Sequence, residues 1–180
     1  MRIRAGRLKG RTLSYPRSGL RPTKDITRQA LFNILGACVR DADVCDLYAG
    51  GGALGIEALS RGARTAVFVE QNPAVLRYLR GNTRELEGTT VVRGDVLKTA
   101  RRLKKPFDIV IADPPYRNDL VQATLDCVAQ NGLVKPGGWM VIEHHRLEQP
   151  CPPRGWEMAR QGQYGDSWLS VMRRQDEDEA

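Results

Sequence analysis

Residues 43–174 alternate short apolar runs with longer stretches in which apolar positions recur at the spacing of a helix. The short runs predict five strands, which lie at 44–48, 65–70, 89–95, 107–113 and 138–145. Four helices are predicted between them, at 53–62, 73–86, 96–103 and 120–132. Strands and helices that alternate at this spacing form a parallel sheet with helices on both faces. The pattern therefore predicts an α/β fold.

Two more apolar runs follow, at 155–161 and 167–174, with only a turn-prone segment between them. Because there is no room for a helix in that segment, the two runs predict an antiparallel hairpin. We expect this hairpin to lie at the edge of the sheet. The complete sheet would then be seven-stranded and mostly parallel.

The start of the chain has a different pattern. Gly6 and Gly10 separate short strand-like pieces, which predicts a hairpin or a curled ribbon. A helix is predicted to begin at Pro22 and Thr23 and to end near Gly36. We expect its apolar stripe to contain Ile26, Ala30, Ile34 and Leu35.

These patterns divide the 180 residues into three parts. Residues 1–36 form a basic ribbon and helix, residues 37–174 form the α/β domain, and residues 175–180 form an acidic tail that we expect to be disordered. Residues 1–28 contain nine bases and one acid, a net charge of +8, whereas the rest of the chain sums to −1. Such a segment indicates a polyanionic partner, although a solvated arm is the alternative.

The composition limits the classes of protein to consider. No apolar run approaches the ~18 residues of a membrane span, and no apolar core of a secretory signal follows the cationic start. The four cysteines include no C-x-x-C pair, so we expect small buried side chains in a reducing cytoplasm. His144 and His145 are adjacent on a predicted strand and would point to opposite faces, so we expect no metal site. Nothing in the sequence suggests more than a monomer.

The first candidate for chemistry is a G-x-G-x-x-G sequence formed by Gly50, Gly52 and Gly55, with Asp46 on the strand before it. If the loop held a dinucleotide, Asp46 would repel the pyrophosphate by roughly 4 kcal/mol for charges about 4 Å apart. S-adenosylmethionine has no phosphate and carries a sulfonium and an ammonium, which a carboxylate attracts. The sequence therefore favours S-adenosylmethionine. In the alternative interpretation, Asp46 caps the helix or pairs with an arginine.

Two more acids stand at the ends of the next two strands. Glu70 can accept hydrogen bonds from both hydroxyls of a ribose, and Asp95 can accept one from an adenine amino group. The remaining residues predicted for the cofactor site are Ala49, Gln71 and Val96. Acids at three consecutive strand ends support the binding of a nucleoside.

The fourth strand ends in Asp113, Pro114, Pro115 and Tyr116. Two prolines remove two N–H donors and fix the backbone, which leaves carbonyl oxygens as rigid acceptors. Acceptors beside an aromatic ring suit a nucleobase that carries an amino group. Hydrogen bonds from that amine to Asp113 and to the carbonyl of Pro114 would localise its lone pair for methyl transfer. The target base would have to be flipped out or single-stranded. For the tetrapeptide alone, a plain strand-ending turn is the alternative.

These motifs carry a family resemblance over nearly the whole chain. The stretches DLYAGGGALGIEALSRGA, VEQN, DPPY, RIRAGRLKGRTL, LRPTKDITRQALFNIL and YGDSWLSVMRR resemble the bacterial guanine-N2 methyltransferases of 16S rRNA, the RsmD family. The resemblance implies the fold of a class I S-adenosylmethionine-dependent methyltransferase, with a Rossmann-like sheet. It also implies an rRNA substrate in an assembled or assembling small ribosomal subunit. Bases that would grip the rRNA are Arg2, Arg4, Arg7, Lys9, Arg11, Arg21 and Arg28.

The chain departs from the family at a few positions. Ile26 and Gln29 stand where the family usually has an arginine and a glutamate, and Gly51 stands where a hydroxyl residue is common. Other functions remain as alternatives at this point: methylation of DNA, of another rRNA site or of a protein amide, a non-catalytic assembly factor, and an NAD oxidoreductase. A DNA methyltransferase usually carries a target-recognition domain, for which 180 residues leave no room.

Overall fold

The computed structural model describes residues 1–16, 25–115 and 119–176. Helices lie at α1 (Asp25–Leu35), α2 (Ala53–Ser60), α3 (Pro73–Thr83), α4 (Val96–Ala100) and α5 (Leu120–Gln130). Strands lie at β1 (Asp43–Leu47), β2 (Thr65–Glu70), β3 (Thr89–Arg93), β4 (Phe107–Ala112), β5 (Val134–His144), β6 (Trp156–Tyr164) and β7 (Ser167–Arg174). A short 3₁₀ helix, Gly36–Val39, follows α1. Within the described residues, no helix combines the length and the apolar character that crossing a membrane requires.

The strands form one sheet in the order β3-β2-β1-β4-β5-β7-β6. Neighbours from β3 to β5 are parallel, whereas β7 is antiparallel to both β5 and β6. The predicted α/β fold, with a seven-stranded sheet and an antiparallel hairpin at one edge, is confirmed. The chain starts in the middle of the sheet with β1 and places β2 and β3 on one side of it. It then returns and places β4 and β5 on the other side, so the strand order reverses between β1 and β4.

Two apolar clusters cover the two faces of the sheet. Alternate residues of the central strands enter different clusters: Ile109 and Ile111 face α2 and α3, whereas Val110 and Ala112 face α5. Such strands read as continuous apolar runs because both faces are buried. The ribbon also contributes to the core, since Ile3 packs into the cluster that contains α2 and α3.

The first residues form the predicted ribbon, closed by a bridge between Arg2 and Thr12. Gly6 lies against the end of α2, and a Cβ atom at this position would stand 1.7 Å from the carbonyl oxygen of Ser60. The N–H groups of Arg7 and Leu8 donate to the carbonyl and the hydroxyl of Ser60 at 2.8 and 2.9 Å. The glycine is therefore needed for close contact between the ribbon and the α/β core.

Two expectations were wrong. Ile26 is 62% exposed, and the buried face of α1 consists of Thr27, Arg28, Leu31, Phe32 and Leu35. Leu35 is buried as predicted, and Ala30 and Ile34 are half-buried against the core, so Ile26 is the one position of the predicted stripe that was wrong. The predicted helix start at Pro22 and Thr23 lies outside the described residues. Of the four cysteines, Cys45 and Cys127 are buried as expected, but Cys38 and Cys151 are exposed.

Candidate active site

The carboxyl ends of β1 to β4 meet at one edge of the sheet and bring the predicted acids to it. The negative charge of Glu70 contributes to raising the pKa of Asp46, so these two side chains are electrostatic neighbours. The N–H of Gly50 donates to Glu70 at 2.9 Å, which joins the end of β2 to the glycine loop. The N–H of Asp113 points to the carbonyl of Leu47 at 3.4 Å, beside the end of β1.

The glycine loop connects β1 to α2 in a left-handed turn. Gly50 and Gly52 have φ angles of 56° and 86°, a region that glycine adopts without a steric penalty. A Cβ atom at Gly55 would stand 2.3 Å from the ring of Phe68 on β2. The first two glycines therefore shape the loop, and the third allows α2 to pack closely on the sheet.

Asp46 is 1% exposed. Its carboxylate accepts a hydrogen bond from the N–H of Gly55 at 2.8 Å, in the first turn of α2. Burial, with a smaller contribution from Glu70, raises the pKa of Asp46 to about 7. Asp46 thus satisfies one N–H group in the first turn of α2, and its role toward a cofactor stays a prediction. The carboxyl is poorly solvated, so a cation beside it would favour its ionised form.

Glu70 holds two parts of the site together. One oxygen accepts from Gly50 at 2.9 Å, and the other accepts from the N–H of Asn72 at 2.7 Å, immediately before α3. An ionised carboxylate has about four lone-pair sites, so both oxygens can still accept bonds from a ribose. Asp95 caps α4 by accepting from the N–H of Lys98 at 2.9 Å. It is exposed, and the capping bond leaves acceptor capacity on its carboxylate.

The remaining predicted residues differ in exposure. Ala49 and Val96 are buried, whereas Gln71 is exposed. After β4, Asp113 is half-buried, Pro114 is buried and Pro115 is exposed. Tyr116 lies outside the described residues. The sheet therefore delivers Asp113 and Pro114 to the edge that carries the glycine loop, as the sequence predicted.

The bases of the ribbon are mostly at the surface. Arg2, Arg7 and Lys9 are exposed. Arg4 is also exposed and forms an ion pair with Asp25. Arg11 is half-buried and donates to the carbonyl of Asn82 on α3 at 3.2 Å. Arg21 lies outside the described residues.

Arg28 corrects the prediction of an RNA contact. Its side chain is 0% exposed, and it donates to Asp25 at 2.7 Å and to the carbonyl of Arg2 at 2.8 Å. Its Nε atom lies 3.6 Å from Glu57, which is itself 0% exposed. Burial lowers the pKa of Arg28, which Glu57 partly offsets. The guanidinium group of Arg28 faces Asp25 on α1 and Glu57 on α2. It is therefore not available to contact an RNA phosphate.

Three residues that the sequence did not single out contact the site. Tyr48, between β1 and the glycines, has a φ angle of 61°, a strained conformation for a residue with a side chain. Its hydroxyl lies 2.9 Å from that of Thr124 on α5, which anchors the ring. The ring of Tyr15 covers the glycine loop, since a Cβ atom at Gly51 would stand 2.4 Å from it. A side chain at position 51 would therefore clash with the ring of Tyr15.

Asn82 is the third of these residues, on α3. Its amide donates to the carbonyl of Gly51 and to that of Ser14, both at 2.9 Å. Its oxygen accepts from the N–H of Ser14 at 2.9 Å. A single buried side chain therefore joins the end of the ribbon to the glycine loop. Its hydrogen-bonding partners lie 68 and 31 positions away along the chain, so no local pattern in the sequence could identify it.

The two histidines lie beside the hairpin. His144 is 1% exposed, with Nε2 2.8 Å from the hydroxyl of Ser170 and Nδ1 2.9 Å from the carbonyl of His145. These contacts are part of the packing between β5 and β7. Among residues 1–16, 25–115 and 119–176, no group of three or more acids, cysteines and histidines is arranged to hold a metal ion.

A family model described as "Conserved hypothetical protein 95" matches residues 1–173. The chain is 36% identical over 166 residues to "Ribosomal RNA small subunit methyltransferase D" of Escherichia coli strain K12. The match covers 89% of this chain and 83% of that protein. The chain belongs to this family. The resemblance predicted from the sequence to the RsmD family is thereby confirmed.

Solved structures agree with the family. The structure described as a putative methyltransferase from Escherichia coli has a TM-score of 0.90 and 33% identity, and the match covers 98% of this chain and 99% of that one. An RNA methyltransferase from Salinibacter ruber, in complex with S-adenosyl-L-homocysteine, has a TM-score of 0.66 at 17% identity. The match covers 87% of this chain and 95% of the Salinibacter chain, and at this identity it shows the fold alone. The RsmD family member described here therefore has the Rossmann-like fold of class I methyltransferases.

Proposed function

We propose that this RsmD family member transfers a methyl group from S-adenosylmethionine to the exocyclic N2 of one guanine in 16S rRNA of the small ribosomal subunit. The protein is a methyltransferase, and rRNA is its substrate. It would act as a monomer in the cytoplasm, where the subunit is assembled. The observation that carries the proposal is the position of Asp113 and Pro114 at the sheet edge that holds the glycine loop.

The residues at this edge fit S-adenosylmethionine as the methyl donor. Asp46 and Glu70 are neighbouring carboxylates, and burial, with a smaller contribution from Glu70, raises the pKa of Asp46. A cationic ligand relieves this repulsion, whereas a pyrophosphate increases it. Asp46, Gly50 and Gly52 would bind the methionyl part, Glu70 and Gln71 the ribose, and Asp95 and Val96 the adenine, beside Ala49. When bound, the donor supplies an electrophilic methyl group on its sulfonium.

Asp113 and Pro114 would hold the amine that accepts the methyl group. The lone pair of an exocyclic amine is delocalised into the ring, which makes the nitrogen a poor nucleophile. If its two protons are donated to the carboxylate of Asp113 and to the carbonyl of Pro114, the lone pair is directed toward the donor. Both acceptors follow a buried strand, and Pro114 has no N–H and a fixed φ, so little reorganisation is needed. Tyr116 would stack on the base.

The exposed bases of the ribbon support an RNA substrate. Arg2, Arg7 and Lys9 are at the surface, and a segment of net charge +8 attracts a polyanion over several ångströms. Contacts of this kind position the RNA, whereas the pocket selects the base. Arg28 is excluded from the set because it is buried.

The test is methyl transfer from tritium-labelled donor to small subunits that lack the modification, followed by mapping of the labelled nucleotide. Asp113→Ala should lower the rate by about 10²-fold or more, because it removes an acceptor that orients the amine. The affinity for S-adenosylmethionine, measured by calorimetry, should stay within a few-fold of the wild type. Glu87→Ala, which removes an exposed carboxylate before β3, is the control and should leave both quantities unchanged.

Two outcomes contradict the proposal. If Asp113→Ala weakens donor binding as much as transfer, Asp113 belongs to the cofactor site and does not hold the amine. If the label maps to an adenine, or to a guanine atom other than N2, the assignment of the acceptor is wrong.

A further inference from the structure

A groove of about 670 Å³ lies between the end of the ribbon and α3. Asn82, one of its lining residues, also donates to the carbonyl of Gly51, so the groove lies beside the glycine loop of the predicted active site. Its lining residues are Arg11, Thr12, Ser14, Arg77, Tyr78, Gly81 and Asn82. The set contains two arginines and an aromatic ring, and it contains no acid.

Both guanidinium groups are held in place by neutral partners. Arg11 donates to the carbonyl of Asn82 at 3.2 Å. Arg77 lies 4.7 Å from the centre of the Tyr78 ring and donates to its hydroxyl at 2.9 Å. Arg11 also forms an ion pair with Glu85, which is 82% exposed and 3.9 Å away. The two guanidinium groups are therefore fixed in position, and neighbouring groups neutralise their charges only weakly. Positive charges held in this way can bind an anionic partner.

We propose that this groove binds a single-stranded segment of the rRNA substrate next to the target nucleotide, an inference that rests on the proposed function. Arg11 and Arg77 contact phosphates, and the hydroxyls of Thr12 and Ser14 donate to phosphate or sugar oxygens. The stacked Arg77 and Tyr78 present a flat surface to an unstacked base. RNA is favoured over a protein partner because the lining combines two basic groups with a stacking layer and includes no acid. The groove continues the exposed bases of the ribbon onto α3.

Gly81 allows a test that removes none of the proposed contacts. It lies on α3 without a left-handed φ, and a Cβ atom there would meet nothing within 4 Å. A larger residue can therefore be introduced without a clash, and replacing a glycine inside a helix does not reduce helix stability. Gly81→Glu places a negative charge in the groove, and Gly81→Lys is the matched variant of similar size and opposite charge.

The experiment measures binding of a 16S rRNA transcript over a range of salt concentrations. Gly81→Glu should weaken binding by about tenfold, because its negative charge repels phosphates. Gly81→Lys should bind at least as tightly as the wild type, with a log–log salt slope steeper by about 0.7–0.9 if it gains one phosphate contact. Affinity for S-adenosylmethionine and the melting temperature should not fall in either variant.

A ribbon variant separates the groove from the proposed function. Arg2→Ala, Arg7→Ala and Lys9→Ala combined should weaken RNA binding by themselves. If this variant weakens binding but Gly81→Glu binds within twofold of the wild type, the groove inference is overturned and the proposed function stands. If Gly81→Glu acts only on assembled subunits and not on protein-free rRNA, the groove contacts a ribosomal protein and the inference is also overturned. If the wild-type chain neither binds nor methylates rRNA, both fail.

Discussion

Asp46 is the residue whose environment differs most from that of an ordinary carboxyl. Its pKa of about 7, against an ordinary 3.8, means that the folded protein keeps its proton to higher pH than the unfolded chain does. Between these two values the native state binds more protons, so the free energy of unfolding falls as the pH rises. The cause is burial, and the hydrogen bond from Gly55 only partly offsets it.

We therefore predict that raising the pH from 5 to 8 lowers the free energy of unfolding through Asp46, by up to about 2–3 kcal/mol. Asp46→Asn should remove this contribution, because the amide does not ionise. Urea unfolding of both proteins across this pH range measures the difference. Parallel pH curves for the wild type and the variant would show that Asp46 does not titrate there.

At the scale of elements, the ribbon, α1 and α2 are joined by one buried carboxylate. Glu57 on α2 accepts from the backbone N–H groups of Arg4 and Ala5 at 2.9 and 3.1 Å. It also accepts from Arg61 at 3.0 Å and lies 3.6 Å from Arg28. Because Glu57 and Arg28 are both fully buried, neither charge can be solvated if the other is removed.

Glu57→Gln should lower the free energy of unfolding by about 1–3 kcal/mol, because the amide offers fewer acceptors to the buried donors around it, whereas Asp25 still pairs with Arg28. Glu85→Gln is the matched control, since Glu85 is 82% exposed beside Arg11 and should change stability by less than about 1 kcal/mol. Urea titration at low salt gives both values. Similar losses in the two variants would mean that the pairing of Glu57 with Arg28 contributes little.

At the scale of the molecule, the order of elements could be predicted from the sequence, whereas most contacts between them could not. The strands and the acids at their ends follow local patterns, so β2 was predicted at its observed bounds and Asp113 at the correct sheet edge. Arg28 was misassigned because its acidic partners include Glu57, which is distant in sequence. The strained φ of Tyr48 and the groove beside Arg77 likewise depend on how separate elements meet. Such features arise from packing, which a pattern of apolar positions does not specify.

The bridge formed by Asn82 has a thermodynamic consequence for the whole molecule. Its side chain bonds to Ser14 at the end of the ribbon and to Gly51 in the glycine loop. If rRNA orders the ribbon and the donor orders the loop, binding of either ligand should raise the protein's affinity for the other by the same factor, at least about fivefold.

Calorimetric titration of the donor, with and without the transcript, measures this factor. Asn82→Ala should reduce the factor toward one, whereas Asn131→Ala, which removes an amide from the end of α5, should not. The two substrates would then assist each other's capture, so neither order of addition would be obligatory.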